Sequence, residues 1–145
     1  MKWRSCILLG FVVFVFGCTG GTVTPTPTGK GGIRRMIDRP RLLGQLKQIG
    51  LAYEICCETN PPRKIEDLMP FLDNNPQYEK LLRDGDVVVF WGVRPTQVPN
   101  PSATILAYEK EPDDKGARLV LTADKSVKSM PKDEFEKAPK AKGNP

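Results

Sequence analysis

The chain has 145 residues, 39% apolar and 27% charged, with 22 Lys+Arg against 17 Asp+Glu for a net charge of +5. These values allow one domain at most and exclude both a disordered polyelectrolyte and a multi-span membrane protein. Histidine is absent, which removes the commonest general base and the commonest metal ligand.

The N-terminus reads MKWRSCILLGFVVFVFGC. Lys2 and Arg4 form a short positive region, and residues 6–16 are apolar apart from Gly10. This run falls short of the roughly 20 residues that a spanning helix needs. Val15, Phe16, Gly17 and Cys18 close it. The segment resembles the lipobox of bacterial lipoproteins, with an aliphatic residue at −3, a small residue at −1 and then the cysteine that receives diacylglycerol. Phe16 departs from that pattern, in which −2 is usually small. A plain secretory signal or an uncleaved anchor is the alternative. The resemblance implies a signal peptide over 1–17, lipid attachment (diacylglycerol and palmitate) at Cys18 and a bacterial cell-envelope location. The outer membrane facing the periplasm is favoured, because Thr19 and Gly20 follow Cys18 with no Asp; the inner membrane is the alternative. Two or three acyl chains hold a protein stably where one does not. Without Lys2 and Arg4 the charge falls to +3, too little to argue for nucleic acid.

Residues 18–32 read as the lipidated cysteine and a Thr/Pro/Gly tether, with Pro25 and Pro27 favouring extended backbone. Arg34, Arg35, Arg39 and Arg41 follow, with Asp38 as the acidic residue among them. They suit either anionic head groups beside the anchor or, more plainly, a solvated helix start. Leu42, Leu43, Leu46, Ile49, Tyr53, Cys56 and Cys57 recur at three- and four-residue spacing, which predicts an amphipathic helix over 38–59. Pro40 falls in its first turn, and Pro61-Pro62 follows its end. Gly44 and Gly50 each cost such a helix about 1 kcal/mol relative to Ala, so close packing on a sheet is expected to use them.

Residues 65–69 predict a short helix stopped at Pro70, and 78–82 another helical turn. Residues 87–91 (VVVFW) predict the strongest strand, apolar on both faces and therefore central or doubly covered. The prolines of 94–101 exclude a strand there. Further strands are expected over 104–109, with Leu106 and Tyr108 on one face, over 117–123, with Ala117, Leu119 and Leu121 on one face, and over 127–130 at an edge. Asp84-Gly85-Asp86, Asp113 to Gly116 and Asp124-Lys125-Ser126 supply the turns. Pro131 opens a last helix over 132–138 anchored by Phe135, and residues 139–145 are expected to form a disordered tail. The fold class is therefore α+β over 33–138, one long N-terminal helix on a three- to four-stranded antiparallel meander with a short C-terminal helix.

Two segments carry a second resemblance. Residues 46–53 (LKQIGLAY), followed by Pro61-Pro62 and Glu66-Asp67-Leu68, are similar to the helix and "EDL" segment of bacterial prepilin- and pseudopilin-like proteins. Residues 120–127 (VLTADKSV) are similar to that family's closing "A-D-G-x-V" turn, with Lys125 in place of its Gly. The resemblance implies a type IV pilin-like globular domain. The lipoprotein-like signal stands where a pilin has its hydrophobic stem, which argues against filament assembly.

The chemistry of single sites reads modestly. Cys56 and Cys57 are neighbours on a helix, point about 100° apart and cannot bridge each other. They suit a redox or intermolecular disulfide role, or one core thiol beside one at the core's margin. No metal site and no cofactor are implied. Asp84-Gly85-Asp86 lacks the further carboxylates of a calcium loop. Ser126 beside Lys125 is no catalytic dyad, and a carboxylate hydrolase would need a pair such as Asp84 and Glu109 to meet. Trp91 suits a groove or the core. The expectation is a non-enzymatic, envelope-anchored interaction or scaffold module whose partner is another envelope protein. The alternative is a ligand-binding or sensor lipoprotein with a pocket between helix and sheet.

Overall fold

A computed structural model describes residues 32–145, with side chains from Arg39 onward. Cys18 and its flank Val15, Phe16 and Gly17, together with most of the tether, lie outside the described residues. The element order is α1 (Gly32–Thr59), α2 (Ile65–Leu68), α3 (Pro76–Arg83), β1 (Val87–Val89), β2 (Ile105–Glu109), β3 (Arg118–Thr122), β4 (Val127–Met130) and α4 (Lys132–Lys137). The four strands form one antiparallel sheet in the order β1-β2-β3-β4. Among the described residues, no helix is long and apolar enough to cross a membrane.

The first helix starts earlier than its apolar spacing predicts. It begins at Gly32 and carries Pro40 in its interior rather than in its first turn. One face of α1 supplies Leu46, Ile49, Ala52, Tyr53 and Cys56 to the core, where the sheet adds Ile105, Leu106, Ala107, Leu119, Val120 and Leu121. Gly50 fulfils its expectation, because a Cβ there would lie 2.9 Å from Leu121 Cδ1. Gly44 does not, since a Cβ there would meet nothing within 4 Å.

The second helix ends before Pro70 as expected, at Leu68 rather than Met69. The chain tightens after Leu68 into a 3₁₀ turn, Met69–Leu72, that carries Pro70 near its start, where its missing N–H costs no hydrogen bond. The predicted turn of helix at 78–82 is a full α3, with Pro76 at its start and Asn75 Oδ1 accepting from Gln77 N at 2.9 Å.

The apolar run at 87–91 is neither central nor five residues long. Only Val87–Val89 is strand, and it lies at an edge of the sheet. Its burial comes from α3 beside it and from the core, to which Val87, Val89 and Phe90 all belong. In β2 the pairing slips between Ile105 and Ala107, a bulge that lets Ile105, Leu106 and Ala107 all be buried. On the sheet face away from α1, the rings of Tyr108 and Phe135 meet edge-on at 5.0 Å, and Arg118 and Lys140 lie over the Phe135 ring.

Residues 139–145 are docked rather than disordered. Ile105 N–H donates to Pro139 O (2.8 Å), Ala141 N–H to Ile105 O (2.9 Å) and Trp91 N–H to Asn144 O (2.8 Å). The tail thus takes the place beside β2 that β1 vacates after Phe90. Lys and Pro composition does not reveal this, because the bonding is main-chain. Gly143 sits so close that a Cβ would lie 2.3 Å from Trp91 O and 2.7 Å from Val93 Cγ2. Gly143→Ala is expected to undock the tail, cost about 2 kcal/mol as an overpacking lesion, and abolish hydrogen-exchange protection of the Trp91 amide. Retained protection at wild-type stability would contradict that.

The β3–β4 turn explains the closing motif. Lys125 N–H donates to Thr122 O and Thr122 N–H to Ser126 O, both at 2.9 Å. Lys125 has φ +71°, the left-handed position that such hairpins usually give to Gly. Its Nζ reaches Glu54 at 2.7 Å on the exposed surface, a pair worth a few tenths of a kcal/mol. Lys125→Gly should therefore melt higher than Lys125→Ala, which keeps the strained backbone, by roughly 1 kcal/mol. Thermal unfolding of the two variants decides it.

Candidate functional site

The C-terminal half of α1 meets the segment after β1 at Tyr53. Its buried hydroxyl donates to Phe90 O at 3.0 Å and accepts from Val93 N–H at 3.0 Å. Its ring stacks on Trp91, centroids 6.5 Å apart. Trp91 is half-buried and serves this core edge. Burial pushes the Tyr53 hydroxyl well above the usual tyrosine range, outweighing the hydrogen bond from Val93. Tyr53 is a clamp, and one that stays protonated.

One turn further on, Cys56 is buried and Cys57 half-buried, and both are free. The Cys56 thiol donates weakly to Asn60 O and Asp67 O, and the Cys57 thiol to Val93 O at 3.6 Å. Burial is the main cause that pushes Cys57 up to about 11, with Cys56 adding to it and Arg94 opposing it. Cys56 is raised too, by burial and then by Asp67. At neutral pH both are thiols, a poor start for nucleophilic or redox chemistry. Beside Cys57 a hollow of about 210 Å³ opens between α1 and the sheet, lined by Gly50, Glu54, Arg94, Leu106 and Lys125 among others. It is smaller than the roughly 300–1,000 Å³ of ordinary ligand pockets.

Of the arginine run, the side chains of Arg34 and Arg35 lie outside the described residues, Arg41 is exposed as a solvated helix start predicts, and Arg39 departs from both expectations. Arg39 is not a solvated residue. Its guanidinium pairs with Asp113 in the β2–β3 turn and lies 3.5 Å from Glu109 Oε2 at the end of β2. It also donates to Ala117 O at 3.3 Å, while its Nε is buried with no hydrogen-bond partner among the described residues. Glu109 is itself buried and accepts from Leu119 N–H at 3.0 Å. Asp113 closes its turn by accepting from Lys115 N–H (3.0 Å) and Ala117 N–H (2.7 Å). Burial raises the Asp113 carboxyl, but those amides and Arg39 outweigh it and hold the group below the usual carboxylate range. Arg41 is exposed and donates to Gln77 Oε1 at 2.7 Å.

This ion cluster walls a cleft of about 460 Å³ between α1, α3 and the ends of β1 and β2. Arg39, Arg41 and Lys80 line it against Asp86, Glu109 and Glu111, with Gln45 and Gln77 between. The mixture suits a small zwitterionic or polar ligand more than a strong anion. Asp84 caps the end of α3, and it is Asp86, not Asp84, that lines the cleft with Glu109. Among the described residues no group of three His, Cys, Asp or Glu could hold a metal ion. Sequence spacing could not have assembled Arg39, Glu109 and Asp113, since 74 residues separate Arg39 from Asp113. Compared with known protein families, with curated proteins and with solved structures, the chain matches none.

Proposed function

We propose that the chain is a bacterial envelope lipoprotein. In this reading a lipid on Cys18 and a Thr/Pro/Gly tether hold a pilin-like α+β domain off a membrane, and the domain works as a non-enzymatic interaction module. The observation that carries it is the N-terminal sequence, a basic pair, an apolar run too short to span and Val15-Phe16-Gly17-Cys18, followed by a tether that leads into a folded domain. The long helix on a four-stranded antiparallel meander supports the pilin-like reading. The contact surface is the free edge of β4. Val120 and Lys128 are partners, and Thr122 N–H already bonds Ser126 O, so by alternation the N–H and C=O of Val127 and Ser129 face outward. A partner strand could add there.

The test is crosslinking in the native envelope with wild-type, Cys18→Ala and Ser129→Pro chains. A lipidated wild type with a protein partner lost in Ser129→Pro, whose domain remains folded, supports the reading. Unlipidated wild type removes the anchor, and a partner retained by Ser129→Pro removes the β4 edge. A second reading, ligand binding, is favoured by the 460 Å³ cleft beside Arg39. It requires a thermal shift with a cell-wall fragment that Lys80→Ala diminishes.

A further inference from the structure

The outer face of α1 pairs two features that the fold itself leaves unused. Leu51 and Ile55 are 46% and 48% exposed, and with Phe71 they are the large hydrophobics left exposed among the described residues. At one residue per 100° they fall, with Gly44 and Gln48, inside an arc of about 60° opposite the core face. The spacing 44, 48, 51, 55 is that of a helix-pairing seam. Gly44 lies mid-helix, where glycine is unfavourable, and among the described residues nothing comes within 4 Å of the place its missing Cβ leaves. Gly50, by contrast, is filled by Leu121. A smallness with no user among the described residues, next to two exposed aliphatic side chains, fits close approach by another helix.

The charges beside the seam choose that helix. Lys47, Glu54 and Glu58 all lie on one flank, basic at the N-terminal end and acidic at the C-terminal end. Lys47 and Glu58 are exposed and form no ion pair among the described residues; Glu54 pairs with Lys125. Antiparallel helices set like flanks face to face, so a second copy would bring its Glu54 and Glu58 opposite Lys47. Parallel copies would set this flank against the one bearing Arg41 and Gln45, which offers Lys47 no acid.

We propose that the outer face of α1 is a self-association surface that takes α1 of a second copy of this chain in antiparallel register, Leu51 and Ile55 filling the seam and Gly44 admitting the partner. It is separate from the β4 edge and needs no lipid. The patch is small, so the association is weak in solution and strengthened by any shared surface that concentrates the chains.

Sedimentation equilibrium of the full chain in mild detergent, over a concentration series, tests it. Wild type should dimerise, and Leu51→Lys with Ile55→Lys should weaken dimerisation by about tenfold or more. Lys47→Glu should weaken it by severalfold, and adding Glu58→Lys should restore it, a rescue that mere loss of folding cannot mimic. Gly44→Ala should raise the unfolding midpoint while weakening the dimer. A monomer at every concentration, or a dimer indifferent to Lys47→Glu and to Gly44→Ala, overturns the proposal.

Discussion

Tyr53→Phe should destabilise the domain by about 2–4 kcal/mol, although it removes a single oxygen. The hydroxyl answers two main-chain groups at once, Phe90 O and Val93 N–H, both at 3.0 Å and both buried. Phenylalanine leaves each without its partner, and each orphaned buried group costs roughly 1–3 kcal/mol. The ring and its stack on Trp91 survive, so the loss reports hydrogen bonding rather than packing. A domain of this size should then melt some 10–20 °C lower. The lesion is local in origin. The chain leaves the sheet after Phe90, and Gly92, with φ +76°, turns it to donate from N–H to Pro62 O at 2.7 Å. Exchange at the Val93 amide should accelerate before that of the β2–β3 ladder. Wild-type also carries a pH signature that the variant lacks. The folded state keeps the Tyr53 proton that the unfolded chain releases near pH 10, so stability declines as pH rises above that value. Equal denaturant midpoints for the two proteins would show that water already serves these groups.

What the sequence disclosed and what it hid divide along one line. Periodicity located the core face of α1, since Leu46, Ile49, Tyr53 and Cys56 are all buried, and turn residues located the β2–β3 and β3–β4 hairpins. These are local signals. The misread positions are those where a distant segment decides. The run at 87–91, apolar throughout, was open to two readings, central or covered on both faces; it is an edge strand, closed by α3 and by a tail whose backbone pairs with Trp91. Gly44 and Gly50 were indistinguishable as letters, and only the position of Leu121 separates them. At the candidate site, the placement of Cys56 in the core and Cys57 at its margin was one of the alternatives legible from helix geometry. The Arg39 cluster was not, because its partners belong to a hairpin folded far along the chain.

That cluster yields the other large effect. Arg39→Met should cost about 2–3 kcal/mol, somewhat below the 3–5 kcal/mol typical of breaking a buried pair, because the Arg39 side chain retains 23% exposure. The cost arises from what is left behind. Glu109, its side chain only 10% exposed, would keep a full charge with Leu119 N–H as its remaining contact here, and Asp113 would lose the cation beside its turn. If that account holds, Arg39→Met combined with Glu109→Gln should be more stable than Arg39→Met alone. The amide can still accept from Leu119 and carries no charge to strand, and methionine also removes the unpartnered Nε. The pH dependence points the same way. The Asp113 carboxyl is held below its unfolded value, so its contribution is complete at neutral pH and is lost as pH falls through the folded value, below about pH 4. Wild-type should therefore lose more stability than Arg39→Met between neutral pH and that acid range, and the two denaturation curves should converge. Curves that stay parallel down to that range would mean that the guanidinium contributes by packing alone, and that α1 is pinned to the β2–β3 turn by shape rather than by charge.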